Sequence, residues 1–258
     1  MEGFRRVLSE HARAREVAAV TVLDRAMLRN SSPQALGRAL KGRRFREPER
    51  HGKWLLAPIG EIVVLMHFGM TGLLEWVDDD GPRHRHDRIM FRFTGGELRY
   101  RNMRRFGGVW VAANDNEAAA VTGPLGPDAA DLRRRDFRDL LERRRGGIKA
   151  ALMDQRLIAG LGNLLVDEML WVARIHPGTQ VRSLRPKRCD TLFDALRKTL
   201  QGSIPTGRVP RRRGWLTGVR DEPDARCPRC AAPLRRTTVA GRPTRWCPRC
   251  QRAPRQPS

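Results

Sequence analysis

The sequence has no apolar run long enough to cross a membrane. Its longest apolar stretch runs from Ile62 to Met66, whereas a membrane-spanning helix needs about twenty apolar residues. The first residues, which include Arg5, Arg6, Glu10 and Arg13, also lack the apolar centre of a secretory signal peptide. We therefore expect a cytoplasmic protein that makes no contact with a membrane.

Acidic residues are scarce relative to basic ones. The 258 residues include 51 Lys and Arg against 28 Asp and Glu, which gives a formal net charge of +23. Residues 208–258 contain fourteen arginines, no lysine and three acids, or 14 − 3 = +11. Such a charge favours a polyanionic partner, and nucleic acid is the first candidate. The plainer alternative is a high-GC genome that uses arginine on any solvated face.

Cysteine is also sparse, but four of the five cysteines form two closely spaced pairs. Cys227-Pro-Arg-Cys230 and Cys247-Pro-Arg-Cys250 are separated by sixteen residues. Two such pairs can close a tetrahedral thiolate shell, and the spacing is typical of structural zinc sites. Two disulfides are the alternative, but no secretory segment supports an oxidising compartment. Cys189 stands alone in a predicted helix, where a buried thiol is expected.

The residues between the cysteine pairs predict a β-hairpin. Residues 234–240 and 244–246 have strand character, and Gly241-Arg242-Pro243 reads as the turn between them, with Arg242 at the tip. A hairpin of this size cannot bury a core of its own. We therefore expect its fold to depend on one bound zinc ion.

Short strands followed by helices indicate an α+β chain with three domains. The domains are predicted at 1–113, an antiparallel β-sandwich, at 114–222, a helical domain, and at 223–254, the zinc hairpin. Strands of the first domain are predicted at 17–23, 43–47, 53–57, 62–67, 73–77, 88–93, 98–101 and 108–112. Helices are predicted at 2–15, 33–40, 137–145, 148–154, 164–173 and 188–200.

A glycine loop in the helical domain could bind a phosphate. Gly160-Leu161-Gly162-Asn163 precedes a helix, and Asn163 can cap the helix start, whose N–H groups attract anions. Lys149, one short helix upstream, could join the same anion. An ordinary glycine turn between two helices is the equally simple alternative. Glu168, later in the same helix, either anchors loop N–H groups or faces solvent, and solvent is the default.

Two turns of the β domain carry large side chains. Met70 lies in the segment His67–Gly72 between two predicted strands, and Arg104 and Phe106 lie in a second turn. Met, Arg and Phe together suit a wedge that fills the gap left when a base is turned out of a duplex. Taken alone, these residues would be better interpreted as core residues.

These motifs together resemble the formamidopyrimidine-DNA glycosylase and endonuclease VIII family. They occur in the family's order from about residue 2 to residue 252. The segments that carry the resemblance are Arg50–Leu56, His67–Gly72, His86-Asp87, Arg104–Gly107, Met153–Gln155, Gly160–Asn163 with Glu168, Ile175–Pro177, and the four cysteines with Arg242.

The resemblance implies a fold, an activity and a partner. Members have an N-terminal β-sandwich, a helix–two-turn–helix domain and a zinc hairpin, and they hold duplex DNA in the cleft between the lobes. They excise oxidised bases and then nick the abasic strand. The resemblance thus implies a base-excision-repair glycosylase with abasic-site lyase activity. It acts by base flipping and Schiff-base chemistry on damaged duplex DNA, and we expect it to be a monomer.

The resemblance also implies roles for individual residues. Lys53 matches the lysine credited with proton transfer in strand cleavage, and Arg242 matches the hairpin arginine that grips the phosphate during elimination. His86, Arg104, Lys149 and Asn163 match positions that contact DNA. Met70, Arg104 and Phe106 match the void-filling triad in the form found in the formamidopyrimidine branch.

The chain departs from the family at its start. The family's nucleophile is an N-terminal proline followed by a catalytic glutamate, and Met1-Glu2-Gly3 instead aligns with the Val-Glu-Gly that ends the family's opening run. Glu2 is therefore expected in the first helix and carries no catalytic role. A GTG start codon read in place of an upstream start would explain the departure. The alternative is a catalytically impaired protein that binds damaged DNA or abasic sites.

A second departure concerns the base that is removed. The segment from Gly202 to Arg226 is short for the region that holds the family's lesion-recognition loop. The triad points to oxidised purines, but this segment gives no support for them. The choice between purine and pyrimidine lesions stays open at the level of sequence.

Overall fold

The computed structural model describes residues 1–79 and 81–253, and the chain divides into two compact units. The first unit is Met1–Pro124 and the second is Leu125–Ser258. Pro254, the last residue of the predicted hairpin domain, lies outside the described residues.

The first unit is built from eight strands with helices at its periphery, and its core lies between two four-stranded sheets. The strand order is β1-β6-β7-β5 in one sheet and β2-β3-β4-β8 in the other, and the neighbouring strands are antiparallel. The elements are α1 (Glu2–His11), β1 (Ala19–Val22), α2 (Pro33–Leu40), β2 (Glu49–His51), β3 (Trp54–Ile59), β4 (Ile62–His67), β5 (Gly72–Val77), β6 (Asp87–Phe93), β7 (Gly96–Asn102), β8 (Gly108–Ala112) and α3 (Asp115–Thr122).

Buried and partly exposed side chains alternate along a strand of the sandwich. In β3, Leu55, Ala57 and Ile59 are buried while their neighbours are partly exposed, as expected for a strand with one face toward a core. These residues share one apolar cluster with Phe91 and Tyr100 of the opposite sheet. The predicted antiparallel β-sandwich is confirmed.

The strand predicted at 43–47 is wrong. Phe45 is buried, but it forms only isolated bridges, to Arg13 and to Ile59. Arg44 likewise bridges Glu16 alone. An apolar residue can thus reach the core from an irregular segment, and the regular strand begins only at Glu49.

The helix α3 packs on the first unit. Its Ala118 is buried against Val63, Leu65 and Ala112 of the sheet. The sequence-based boundary after residue 113 therefore falls before this helix, whereas the compact unit ends at Pro124.

The second unit contains five helices and a two-stranded hairpin among its described residues. They are α4 (Arg134–Glu142), α5 (Ile148–Met153), α6 (Asn163–Val172), α7 (Pro186–Ser203), α8 (Leu216–Val219), β9 (Arg235–Val239) and β10 (Arg242–Trp246). Most of α6 is buried, because it packs against α5, α7, α8 and β10. The short helix α8 lies within the segment from Gly202 to Arg226.

Within residues 1–79 and 81–253, no helix combines the length and the apolar character that crossing a bilayer requires.

Candidate nucleic-acid interface and metal centre

The four paired cysteines converge at the base of the hairpin. Their Sγ atoms all lie within 4.8 Å of one another, with Cys230 and Cys247 at 3.5 Å and Cys227 and Cys250 at 3.9 Å. Zinc–sulfur bonds of 2.3 Å in a tetrahedron separate the sulfurs by about 3.8 Å. The residues fit one zinc ion, and their separations are too long for disulfides. Cys189 is buried in α7, away from this cluster, as expected.

Zinc would hold the two ends of the hairpin segment together. The Trp171 indole N–H donates to Cys227 Sγ at 3.3 Å, and the Cys250 N–H donates to Cys247 Sγ at 3.4 Å. Such hydrogen bonds stabilise thiolates in a metal shell. Trp171 and Leu216 also pack against Cys227 and Cys247, so the metal centre belongs to the core of the second unit.

Arg242 is exposed beside the turn of the hairpin. It pairs with Val239 across a two-residue turn, Ala240-Gly241, in which both residues have positive φ, 50° and 69°. This geometry is that of a type I′ turn, which matches the twist of two antiparallel strands. The predicted turn at 241–243 therefore lies one residue earlier, and Arg242 opens the returning strand instead of occupying the turn.

The hairpin is fixed along α6 at both ends. Asn163 Nδ2, at the start of α6, donates to the Pro243 carbonyl at 2.9 Å near the tip. Gln251 Nε2, at the hairpin base, donates to the Ile175 carbonyl at 2.8 Å just beyond the end of α6. The start of α6 and the hairpin tip therefore face the same end of the unit.

The expectation that Asn163 caps α6 is wrong. Gly162 occupies the cap position, and the Asn163 side chain is used by the hairpin instead. The glycine loop before it is braced by Gln155, whose side chain donates to the Leu161 carbonyl at 2.9 Å and accepts from the Gly160 N–H at 3.0 Å. The first N–H groups of α6 therefore have no side-chain cap, and they point along the helix axis.

Lys149 is not a surface cation at this helix start. Its side chain has no exposed area, and Nζ donates to Asp167 Oδ1 at 2.6 Å and to Thr244 Oγ1 at 2.7 Å. Burial lowers the pKa of Lys149, although the Asp167 carboxylate opposes the shift. The expectation of direct anion binding is therefore corrected: in this structure Lys149 supports the hairpin strand from inside.

Asp167 is the centre of a buried network that sequence reasoning missed. Besides the ammonium of Lys149, it accepts from Arg220 NH1 at 2.8 Å and from the Arg245 N–H at 3.4 Å. It thereby ties together α5, α6, the residue after α8, and β10. The sequence gives no signal for it, because an Asp inside an amphipathic helix ordinarily faces solvent.

Glu168 is buried, which contradicts the default of a solvent-facing carboxylate. Its two oxygens accept the N–H groups of Leu216 at 3.2 Å and Thr217 at 2.8 Å, at the start of α8. Burial raises the pKa of Glu168, and the hydrogen bonds from Thr217 and Leu216 oppose the rise. The carboxylate anchors loop N–H groups, but those of the segment after Gly202 and not those of the glycine loop.

Met70, Arg104 and Phe106 form one exposed cluster on the first unit. Met70 is 65% exposed and Phe106 50% exposed, unusually high values for large apolar side chains. The Arg104 guanidinium carbon lies 5.1 Å from the centre of the Phe106 ring, and its NH1 lies 3.9 Å from the sulfur of Met70. Core packing, the alternative reading of these residues, is excluded.

A rigid platform supports the cluster. Asn102 is fully buried, and its Nδ2 donates to the carbonyls of Phe106 at 2.8 Å and Phe68 at 3.3 Å, which joins the two turns. Gly69 has φ +59°, and a Cβ there would lie 1.9 Å from the Phe106 carbonyl oxygen. The two turns approach so closely that only glycine fits at this position.

Lys53 lies in the turn between β2 and β3 and is partly buried. The next residue, Trp54, is paired with His67 of β4. Burial lowers the pKa of His67, and the charge of Lys53 lowers it further, so the ammonium lies close to that imidazole. His67 Nδ1 accepts the Gly69 N–H at 3.2 Å, which connects Lys53 to the turn that carries Met70.

His86 completes the predicted set in the first unit, and Glu2 lies in α1 as expected. His86 lies just before β6, where its Nδ1 is 3.2 Å from Arg88 NH2. Slight desolvation and the charges of Arg85 and Arg88 lower the pKa of His86. Glu2 is the first residue of α1 and pairs with Arg5 at 2.9 Å, in agreement with its assignment to that helix.

The predicted residues are thus distributed over both units. Lys53, Met70, His86, Arg104 and Phe106 lie in the first unit. Lys149, Asn163, Arg242 and the four cysteines lie in the second.

Three family models match consecutive parts of the chain. Residues 1–109 match the formamidopyrimidine-DNA glycosylase N-terminal domain, and residues 125–212 match the formamidopyrimidine-DNA glycosylase H2TH domain. Residues 226–253 match a zinc finger found in FPG and IleRS.

Curated relatives and solved structures agree with these matches. The formamidopyrimidine-DNA glycosylase of Symbiobacterium thermophilum is 33% identical over 98% of this chain and 88% of its own length. The Streptomyces avermitilis protein of the same name is 35% identical over 99% and 97%. The Lactococcus lactis Fpg, solved in complex with DNA containing an abasic site, has 29% identity and a TM-score of 0.86, with 98% of both chains covered.

Proposed function

This chain belongs to the formamidopyrimidine-DNA glycosylase family, and from that premise we propose that it is a base-excision-repair glycosylase that also cleaves the strand at the resulting abasic site. The substrate class is duplex DNA carrying an oxidised base. The relatives carry the glycosylase name, and the lyase step is the further part of the proposal.

One observation carries the proposal for this chain in particular. Met70 and Phe106 expose large apolar surfaces to solvent, and Arg104 lies between them on a braced platform. Exposing such side chains costs hydration free energy unless they fill a space in a partner. An enzyme that extrudes a base leaves a gap in the stack, and this cluster has the shape and chemistry to occupy it.

The remaining residues have proposed roles in binding the DNA and in cleaving its strand. Lys53 transfers a proton during strand cleavage, close to the His67 imidazole, whose neutral form is favoured by its lowered pKa. His86 contacts the backbone. The start of α6 at Asn163 and the guanidinium of Arg242 at the hairpin tip bind phosphate oxygens. Lys149 acts indirectly, by holding Thr244 two residues from Arg242.

The proposed chemistry is that of an amine nucleophile. A neutral amine attacks C1′, and the damaged base leaves with a proton. The C1′–O4′ bond then opens, with a proton going to O4′, which gives an iminium ion. The iminium acidifies the C2′ hydrogens, and removal of one of them by a base eliminates the 3′ phosphate. Arg242 would stabilise the negative charge on the leaving phosphate. Zinc takes no part in these steps, because its four cysteine ligands leave no open coordination position.

We also propose a monomer in the cytoplasm, associated with the nucleoid. A large positive net charge opposes self-association and favours long-range attraction to DNA. The three-domain division at 1–113, 114–222 and 223–254 is kept as a proposal, with α3 transferred to the first domain.

Borohydride trapping tests the proposal. The protein is prepared with its own N-terminus and with the family's opening residues restored. In the restored form six added codons precede Met1→Val, and removal of the initiator Met leaves proline at the N-terminus. The extended form should become covalently attached to duplexes that contain an oxidised purine or an abasic site. Absence of any trapped product, with DNA binding intact, would exclude the lyase and leave a protein that binds damage without cutting it.

A further inference from the structure

Five exposed arginines surround one groove at the base of the hairpin. The groove has a volume of about 820 Å³, and its arginines are Arg174, Arg188, Arg229, Arg249 and Arg252. None of the residues that line it is acidic. Within residues 1–79 and 81–253, none of these arginines is paired with a carboxylate. The groove is therefore a concentrated positive surface with no carboxylate against it in the described chain.

Two of the arginines are held in place by the fold. Arg229 lies 4.2 Å from the centre of the Trp171 ring and donates to the Trp171 carbonyl at 3.1 Å. Arg188 donates to the Arg174 carbonyl at 2.9 Å. Stacking and carbonyl contacts fix the guanidinium planes, which reduces the entropy lost when a phosphate is bound. Arg174, Arg249 and Arg252 remain directed to solvent around them.

The zinc centre does not neutralise this surface. Four thiolates around a divalent ion carry a charge of 2 − 4 = −2, whereas the five arginines carry +5, so a charge of +3 remains. Arg229 and Arg249 hold the same third position in the two Cys-Pro-Arg-Cys segments, which places both beside the metal. Like charges gathered in this way destabilise the fold unless an anion binds between them.

The groove and the hairpin tip lie at opposite ends of α6. Asn163 contacts Pro243 at one end, and Ile175 contacts Gln251 at the other. Ten residues of α6 separate those ends by about 15 Å. A phosphate bound at the tip is therefore out of reach of the groove.

We propose that the groove is a second site for a DNA phosphate backbone, which holds a segment of undamaged duplex while the hairpin tip engages another. The N–H groups at the start of α6 point along its axis, so a duplex bound there lies across that end. DNA is stiff over a few base pairs, and it would have to bend sharply to reach the far end of the same helix. The occupant of the groove is therefore a separate segment. The groove would be a DNA site beyond those of the proposed function, and binding there does not depend on base excision.

Release kinetics test the proposal directly. A short labelled lesion duplex is bound to the zinc-loaded protein, and its release is followed while unlabelled undamaged duplex is added at rising concentration. A protein with a second site passes the DNA from one segment to the other, so the release rate should rise with competitor concentration. The variant Arg174→Ala/Arg249→Ala/Arg252→Ala should lose this rise and keep its affinity for the short lesion duplex.

Salt dependence measures the number of phosphates held. If each of the three arginines neutralises one phosphate, the triple variant should bind the second duplex segment with a weaker salt dependence. The slope of log affinity against log salt concentration should become shallower by about 0.9 × 3 = 2.7. Between 50 and 200 mM salt, this corresponds to about a 40-fold smaller loss of affinity.

The matched control changes the same charge elsewhere in the unit. Arg133, Arg135 and Arg143 are exposed at the two ends of α4, and their triple alanine variant should behave as the wild type. The proposal is overturned if the wild-type release rate is independent of the competitor, or if both triple variants lose the effect equally. It is also overturned if polyglutamate of the same charge accelerates release as well as duplex does, because the groove would then accept any polyanion.

Discussion

At the scale of single residues, burial gives several charged side chains a structural role in place of a solvent-exposed one. Lys149, Asp167 and Glu168 would each be solvated on an ordinary helix, yet all three are buried and hydrogen-bonded. Several of their partners come from distant parts of the chain, such as Thr217, 49 residues from Glu168, and Arg220, 53 residues from Asp167. The charged residues that hold the hairpin strand and α8 in place are therefore hidden from solvent.

Replacing Asp167 should destabilise the protein strongly. In Asp167→Asn, the buried ammonium of Lys149 loses its counter-charge, which should lower the free energy of unfolding by about 3–5 kcal/mol. Urea denaturation of the zinc-loaded protein measures the change. Asp194→Asn breaks an exposed pair with Arg134 and should cost less than about 1 kcal/mol. Equal costs for the two variants would refute the central role of Asp167.

Lys53 should control the titration of His67. Because the folded pKa of His67 is lowered, the unfolded state binds more protons just below pH 6.5, so this histidine destabilises the fold as pH falls. Lys53→Met removes one of the two causes and should move the pKa of His67 upward, as measured by NMR titration of its ring protons. Lys41→Met, at an exposed site after α2, should leave it unchanged. An unchanged pKa of His67 in Lys53→Met would mean that the Lys53 ammonium does not influence the imidazole.

At the scale of elements, the hairpin depends on two independent attachments. The four cysteines hold its base, and the contacts of Asn163 and Asp167 hold its strand and tip against α6. A hairpin of two five-residue strands has no core of its own. Loss of the metal should therefore release the base while part of the contact with α6 remains.

The metal prediction is specific to one set of cysteines. Cys247→Ser should release zinc and expose the amides of residues 235–246, because binding energy of the metal is folding energy for this hairpin. Zinc content per chain and hydrogen exchange measure the two effects. Cys189→Ser should keep one zinc per chain. A Cys247→Ser protein that also keeps one zinc would contradict the assignment of the ligands.

The two ends of the hairpin should differ in their effect on lesion binding. Arg242→Ala removes a charged contact to phosphate, worth about 1.5–3 kcal/mol, and should weaken binding of a short lesion duplex at least tenfold. Arg252→Ala, in the basal groove, should leave that duplex almost unaffected. Fluorescence anisotropy with the short duplex compares them. Similar losses would mean that only total charge matters.

At the scale of the whole molecule, the net charge of +23 predicts binding that is highly sensitive to salt. A footprint of six or more phosphates should weaken binding by about a thousandfold or more between 50 and 200 mM salt. Lesion-bearing and intact duplexes should share this salt dependence, because both present the same backbone. The ratio of the two affinities should stay constant as salt rises. In Phe106→Ala this ratio should fall toward one, since only the cluster senses the extruded base. A ratio near one in the wild type would remove the basis for the proposed function.

Local patterns in the sequence predict most of the fold correctly. The strand at 62–67 and the strand at 108–112 are found with their predicted bounds, because short continuous apolar runs bounded by turn residues leave few other arrangements. The helix at 33–40 is also found, since Ser32 accepts the Ala35 N–H and proline follows at the first helical position. Phe45 shows the limit of such patterns, because an apolar residue can be buried without a strand around it.

The amino-acid sequence by itself determined the zinc ligands, the basic character and the residues of the exposed triad, because these depend on spacing, composition and residue type. Only the tertiary structure decided that Met70, Arg104 and Phe106 meet, that Asn163 serves the hairpin instead of a cap, and that Lys149 is buried. The physical reason is common to all three. Each depends on contacts between residues thirty to ninety-five positions apart, and the burial that such contacts create is absent from any local pattern.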